Sequence, residues 1–133
     1  MEHPTPLSGL RLLVVEDEAV IALMIESMLD SLGCVVVDVA STLSRGLAIA
    51  CNESLPLDGA VLDINLGGEH VYPVAERLRK RHVPFIFSTG YGRPGLATSF
   101  ANVPTLAKPY EAEDLGEMLM SVIRKPELAL RRH

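Results

Sequence analysis

Two cysteines in 133 residues, Cys34 and Cys51, stand without CxxC or histidine-linked spacing. That spacing makes them poor candidates for a zinc site or a dithiol redox motif, and both residues are expected to be buried free thiols. No apolar run approaches the roughly 20 residues needed to span a bilayer. Met1-Glu2-His3-Pro4-Thr5-Pro6 lacks the basic and apolar regions of a secretory signal, so the expectation is a soluble cytoplasmic protein with no membrane partner. Positive charge is also short: twelve Lys and Arg against seventeen Asp and Glu leave a net charge of −5. Without a basic stripe, direct nucleic-acid binding is disfavoured. The one basic cluster, Arg77, Arg79, Lys80 and Arg81, falls at an expected helix C-terminus and reads as its solvated end. His3, His70, His82 and His133 are scattered and receive no role.

What is present is a hydrophobic fraction of 48%, enough for one domain with a buried parallel sheet. After a short lead containing Pro4 and Pro6, residues 10–15 read as a first strand, followed by the acids Glu16, Asp17 and Glu18. Val20, Leu23, Met24, Met28 and Leu32 then recur at helical spacing up to Gly33, a good helix stop. A β-branched strand over 35–40 precedes a helix capped by Ser41 or Thr42 and carrying Leu43, Leu47, Ala48 and Cys51. The run from Ala60 ends at Asp63, and a third helix spans about Val71 to Arg81, with Pro73 tolerable in its first turn. Pro84 to Ser88 supplies a fourth strand, and the Gly- and Pro-rich connection from Thr89 to Pro104 reads as mobile, with a short helix available from Leu96 to Asn102. Thr105 to Ala107 is a brief fifth strand, and a last helix runs from Glu111 to Arg124 with Leu115, Met118, Leu119, Val122 and Ile123 on one face. This alternation implies an α/β fold: a flavodoxin-like, doubly wound, five-stranded parallel sheet of order 2-1-3-4-5 with helices on both faces and right-handed crossovers. The expected division is a disordered lead at 1–8, a folded domain at 9–125 and a C-terminal tail at 126–133.

Strand order 2-1-3-4-5 places the topological switch between strands one and three, where such sheets bind their ligands. It gathers Glu16 and Asp17, Asp63, Thr89 and Lys108 at successive strand ends. Converging carboxylates repel, so they either raise a pKa or hold a hard cation such as Mg²⁺, which needs few protein ligands. A hydroxyl and an ammonium facing the same point are the groups needed to hold a phosphoryl group on an oxygen nucleophile. Each residue also has a plainer explanation. Asp63 can start a turn with Asn65, Gly67 and Gly68, Asp17 can cap the first helix, Thr89 can satisfy loop backbone, and Lys108 can snorkel at the surface. All of them standing at equivalent strand ends by accident is a much rarer event than any one of these.

Val14-Val15-Glu16-Asp17-Glu18, Leu62-Asp63-Ile64-Asn65-Leu66, Ser88-Thr89-Gly90-Tyr91 and Lys108-Pro109-Tyr110 together resemble the receiver domains of bacterial two-component response regulators, over about residues 9 to 125. The resemblance implies a CheY-like fold and a phosphoacceptor, Asp63, that takes its phosphoryl group from a phosphohistidine of a histidine kinase or histidine phosphotransfer protein. It further implies Mg²⁺ held by Asp17, Asp63 and the Asn65 backbone carbonyl, with Glu16 acting through water and Thr89 and Lys108 touching the phosphoryl oxygens. Such a protein is no enzyme in its own right, although it assists its own phosphorylation and dephosphorylation. The Lys-Pro bond at Pro109 is often cis in that family, as proline permits.

Phe87-Ser88-Thr89-Gly90-Tyr91 is similar to a receiver branch marked by Phe-x-Thr-Gly-Tyr. The aromatic switch that most receivers carry three residues before the lysine is replaced here by Thr105, and the segment Gly90 to Gly95, with Tyr91, is expected to reorder in its place. The eight residues from 126 are too few for a DNA-binding output module. Signalling is therefore expected through an unidentified downstream protein or by phosphorelay, from a monomer or weak homodimer. Three competing readings remain. A dinucleotide site at Gly90-Tyr91-Gly92-Arg93-Pro94-Gly95 is disfavoured by its place after the fourth strand and by its proline. A small phosphatase with an aspartyl-phosphate intermediate has little spare length for a substrate pocket. A receiver-like interaction module that is never phosphorylated would not need these acids, Thr89 and Lys108 together.

Overall fold

The computed structural model describes residues 6–90 and 98–123. Five parallel strands form the main sheet: β1 (Arg11–Val15), β2 (Val35–Ala40), β3 (Gly59–Asp63), β6 (Phe85–Thr89) and β7 (Thr105–Ala107), in the order β2-β1-β3-β6-β7. This is the expected 2-1-3-4-5 order. A small antiparallel hairpin, β4 (Asn65–Leu66) and β5 (Glu69–His70), follows β3 and was not expected. Its turn residues Gly67 and Gly68 have φ of +58° and +95°. Two consecutive left-handed residues suit a two-residue hairpin, and glycine adopts them without strain. The turn reading of this stretch, with Asn65, Gly67 and Gly68 following Asp63, is realised in this hairpin.

Because both faces of the sheet are covered, its strands read as continuous apolar runs. Leu13, Val15, Ala60, Leu62, Phe85 and Phe87 face α2 (Leu43–Ala50) and α3 (Tyr72–Lys80). Leu12, Val14, Val61 and Ile86 face α1 (Ala19–Ser31) and α4 (Ala112–Val122). Thr42 accepts a hydrogen bond from the Arg45 amide and so caps α2. Glu111 and Asp114 form a reciprocal capping box at the start of α4, where acids also suit the helix dipole.

Several local expectations are corrected. The buried face of α1 is Ala22, Ile25 and Leu29, whereas Val20 and Leu23 are 71% and 64% exposed and Met24 is also exposed. Met28 and Leu32 do pack against the core, but the helix is apolar on more than one side, so spacing alone also selected exposed positions. Leu7, placed by the sequence in the lead, is buried beside Leu115 and Leu119, and the Gly9 amide donates to the Gly33 carbonyl. Cys34 is buried but Cys51 is exposed at the C-terminal end of α2. Within the expected helix from Leu96 to Asn102, the described part holds one 3₁₀ turn, Thr98–Phe100. The expected reordering segment around Tyr91 and the tail at 126–133 lie outside the described residues.

The basic end of α3 does more than meet solvent. Arg79 lies over the Phe100 ring at 4.5 Å and donates to the Ser99 carbonyl at 2.8 Å. Arg81 donates to the carbonyls of Ala50 and Leu55, tying α3 to α2 and to the loop before β3. Although aromatics are few, all three phenylalanines and Tyr72 meet in one cluster, with Tyr72 stacked on Phe100 at 5.1 Å. This cluster pins the 3₁₀ turn and sets where the chain enters β7. Phe100→Ala is expected to cost about 3–5 kcal/mol in urea unfolding. A loss below about 1 kcal/mol would show that the ring is not seated in the core.

Candidate functional site

Parallel register brings the strand ends together. Val15 pairs with Leu62, Asp63 with Ser88, and Thr89 with Ala107. The residues that follow are pinned by backbone: the Glu16 amide donates to the Ala40 carbonyl at 2.9 Å, and the Lys108 amide to the Thr89 carbonyl at 2.8 Å. The Lys108-Pro109 bond is cis. Asp17, Asp63, Asn65 and Lys108 line a cavity of about 550 Å³ together with Glu18, Ile21, Gly67, Gly68, Gly90 and Pro109. Glu16 and Thr89 are buried and do not line it.

One ammonium organises the acids. Lys108 Nζ donates to Glu16 Oε1 at 2.6 Å and stands 3.5 Å from Asp63 Oδ2. Glu16 is only 1% exposed, and its second oxygen accepts the Glu18 amide. Asp63, 7% exposed, accepts the Asn65 amide through Oδ1 at 3.3 Å. Asp17 does not cap α1: the N-cap is Glu18, without a side-chain cap, and Asp17 Oδ2 instead accepts the Gly67 amide at 3.1 Å. The Asn65 side chain accepts the Gly68 amide at 2.9 Å. The Asn65 and Gly67 amides of the hairpin thus orient two of the acidic residues, Asp63 and Asp17. The Gly67-Gly68 pair was the sequence signal for the hairpin.

Burial, then the hydrogen bond with Glu16 and the charge of Glu16, push the Asp63 carboxyl up to about 7, against the lowering pull of Lys108 and the Asn65 amide. Burial alone would lower Lys108, but the hydrogen bond to Glu16 and the charges of Asp63 and Glu16 carry it above its ordinary value. The lysine therefore stays charged. One oxygen from each of Glu16, Asp17 and Asp63 lies within 4.8 Å of the others. Carboxylate oxygens around an open, water-accessible cavity are what a hard divalent cation takes, and Mg²⁺ keeps most of its waters when it binds so few ligands. The residues present fit such an ion.

The fold and the site define a doubly wound α/β domain with an acidic, lysine-bridged pocket at the carboxyl ends of its strands. The chain belongs to the family described as the response regulator receiver domain, which it matches over residues 12–120. It is 30% identical over 125 residues to the phyllosphere-induced regulator PhyR of Methylorubrum extorquens, covering 91% of this chain and 46% of PhyR. The chain thus spans about half the length of that curated relative. Among solved structures it resembles SdrG from Sphingomonas melonis Fr1, at 37% identity and a TM-score of 0.75, over 85% of this chain and 95% of SdrG. The BeF3-activated conformation of SdrG from Pseudomonas melonis Fr1 is similar at 36% identity and a TM-score of 0.71, over 86% of this chain and 97% of the other.

A raised acid binds its proton more tightly in the folded than in the unfolded chain, so stability is lost as pH rises from the unfolded pKa, near 4, to the folded value of about 7. Without divalent cations, Asp63→Asn should therefore melt above the parent at pH 8 by about 3 °C or more. The gap should close towards pH 4, and Mg²⁺ should narrow it at pH 8. Melting curves that coincide at pH 8 would show that Asp63 carries no burial penalty.

Proposed function

We propose that this domain is a phosphoacceptor. Asp63 takes a phosphoryl group from the phosphohistidine of a histidine kinase or histidine phosphotransfer protein, in a Mg²⁺-dependent step, and the domain signals through protein contacts or phosphorelay. The observation that carries this reading is Lys108 Nζ standing between Glu16 and Asp63, at 2.6 and 3.5 Å, in the lining of the acidic cavity. In the reaction an Asp63 carboxylate oxygen attacks phosphorus, the bond from phosphorus to the donor imidazole breaks, and the imidazole leaves with the bonding pair. Lys108 balances the charge that gathers on the phosphoryl oxygens, while its pairing with Glu16 keeps it in place beforehand. Asp17, Asp63 and the Asn65 carbonyl would hold Mg²⁺, with Glu16 through water. When bound, that ion neutralises the phosphoryl oxygens so that two anions can meet. Thr89, buried at the end of β6, would hold a phosphoryl oxygen.

The domain acts as a stoichiometric acceptor rather than an enzyme, its own residues assisting both gain and loss of the group. The likeness to SdrG, whose BeF3-activated form has been solved, supports a phosphoryl-responsive site. Incubation with acetyl phosphate and Mg²⁺ should add one acid-stable, base-labile phosphoryl group, and none to Asp63→Asn. An unmodified parent protein would refute the reading, and steady release of phosphate from an added phosphomonoester would replace it with a phosphatase.

The donor protein reaches Asp63 across α1. Val20, Leu23 and Met24 leave an uncovered apolar face on this helix, and their neighbour Ile21 lines the site cavity itself. Exposed apolar residues on the helix that also sends Ile21 into the reactive pocket fit a partner that must present its phosphoryl group there. Leu23→Glu should slow transfer from a phosphorylated histidine phosphotransfer protein at least about tenfold more than transfer from acetyl phosphate, the effect of about 1.4 kcal/mol of lost docking energy. Equal slowing with both donors would remove α1 from the interface.

A further inference from the structure

We propose that the hydrogen bond between Ser88 and Tyr110 is a positioning device that fixes Lys108 over Asp63, an inference that rests on the phosphoacceptor reading for its purpose but not for its geometry. β6 runs Phe85-Ile86-Phe87-Ser88-Thr89, wholly buried. A hydroxyl at Ser88 is costly there unless partnered, and its partner is the Tyr110 hydroxyl at 3.1 Å. Ser88 is also the register partner of Asp63 and the neighbour of Thr89.

Lysine carries its charge on a flexible four-carbon stem, and holding the ammonium at one point requires a fixed root. β7 alone is a weak root, being three residues long and half exposed. The loop after it gains two ties to adjacent residues of β6: the Lys108 amide to the Thr89 carbonyl, and the Tyr110 hydroxyl to Ser88. Lys108 is therefore bracketed by these ties. The Tyr110 ring completes the bracket by closing an apolar groove of about 170 Å³ with Ile21, Met24, Ile25 and Met28. Burial keeps the Tyr110 hydroxyl protonated beyond its ordinary range, so the tie persists at working pH.

Tyr110→Phe keeps the ring and removes only the hydroxyl, and Ser88→Ala removes the other half. Nitrogen-detected NMR of the full chain reads proton exchange at the Lys108 ammonium directly, with no phosphoryl group needed. Each single variant should exchange about three- to tenfold faster than the parent, the range one hydrogen bond supplies, and the double variant no faster than either. In Mg²⁺, beryllofluoride should bind each variant more weakly by a similar factor, and Tyr110→Phe should have no effect in a Lys108→Ala background. Unchanged ammonium exchange in both single variants, with melting temperatures near the parent's, overturns the proposal and leaves Tyr110 as packing alone. A variant that melts far below the parent, yet whose ammonium exchanges at the parent rate while folded, overturns it equally. Failure of the parent protein to bind beryllofluoride refutes the phosphoacceptor reading instead, and the exchange rates still decide whether Ser88 and Tyr110 position Lys108.

Discussion

The carboxylates of Glu16 and Asp63, from two strand ends, lie largely buried side by side, and the ammonium of Lys108 is what makes that arrangement tolerable. A buried, unpaired carboxylate is strongly destabilising, and pairing recovers stability only where geometry is good and the remaining lone pairs are satisfied. Glu16 meets both conditions, with the ammonium on one oxygen and the Glu18 amide on the other. Asp63 meets them only in part, which is why its proton is held so tightly. The site is thus left short of positive charge by design of its own geometry, and a hard cation fits the shortfall.

The convergence of residues around this ammonium follows from parallel pairing. Because β1, β3, β6 and β7 end in step, residues scattered over ninety positions of sequence arrive at one rim. The helices hold the strands in that register through two apolar layers, one under α2 and α3 and the other under α1 and α4. The hairpin after β3 then turns the Gly67 and Gly68 amides towards Asp17 and Asn65. Backbone amides aimed this way fix the rotamers of these short polar side chains at little cost in entropy, since the turn is already ordered.

The features legible in the sequence were those fixed by period and by strand ends. Continuous apolar runs such as Ala60 to Leu62 exposed the buried sheet, and the strand order then forced Asp63 and Lys108 into one crevice. A cap at Ser41 or Thr42 and the proline in the first turn of α3 were also legible, because they act locally, and the structure selects Thr42. What stayed hidden depends on contacts across the fold. The buried stripe of α1 could not be read from a helix apolar on several sides, since only packing decides whether Ile25 or Leu23 turns inward. Arg79 and Arg81 looked solvated because nothing local shows that Phe100 and the Leu55 carbonyl lie within their reach. Leu7 and the Ser88–Tyr110 pair escaped for the same reason, each being a partnership between distant segments.

The uncovered apolar face of α1 also has a colloidal consequence. Val20 and Leu23 attract any similar surface at short range, while the net charge of −5 repels other copies at longer range. Salt weakens only the second force, with a screening length that shrinks from about 30 Å at 0.01 M to about 8 Å at 0.15 M. Dilute buffers of low ionic strength therefore favour dispersed molecules, and the tendency of copies to cluster grows with added salt and reverses on dilution.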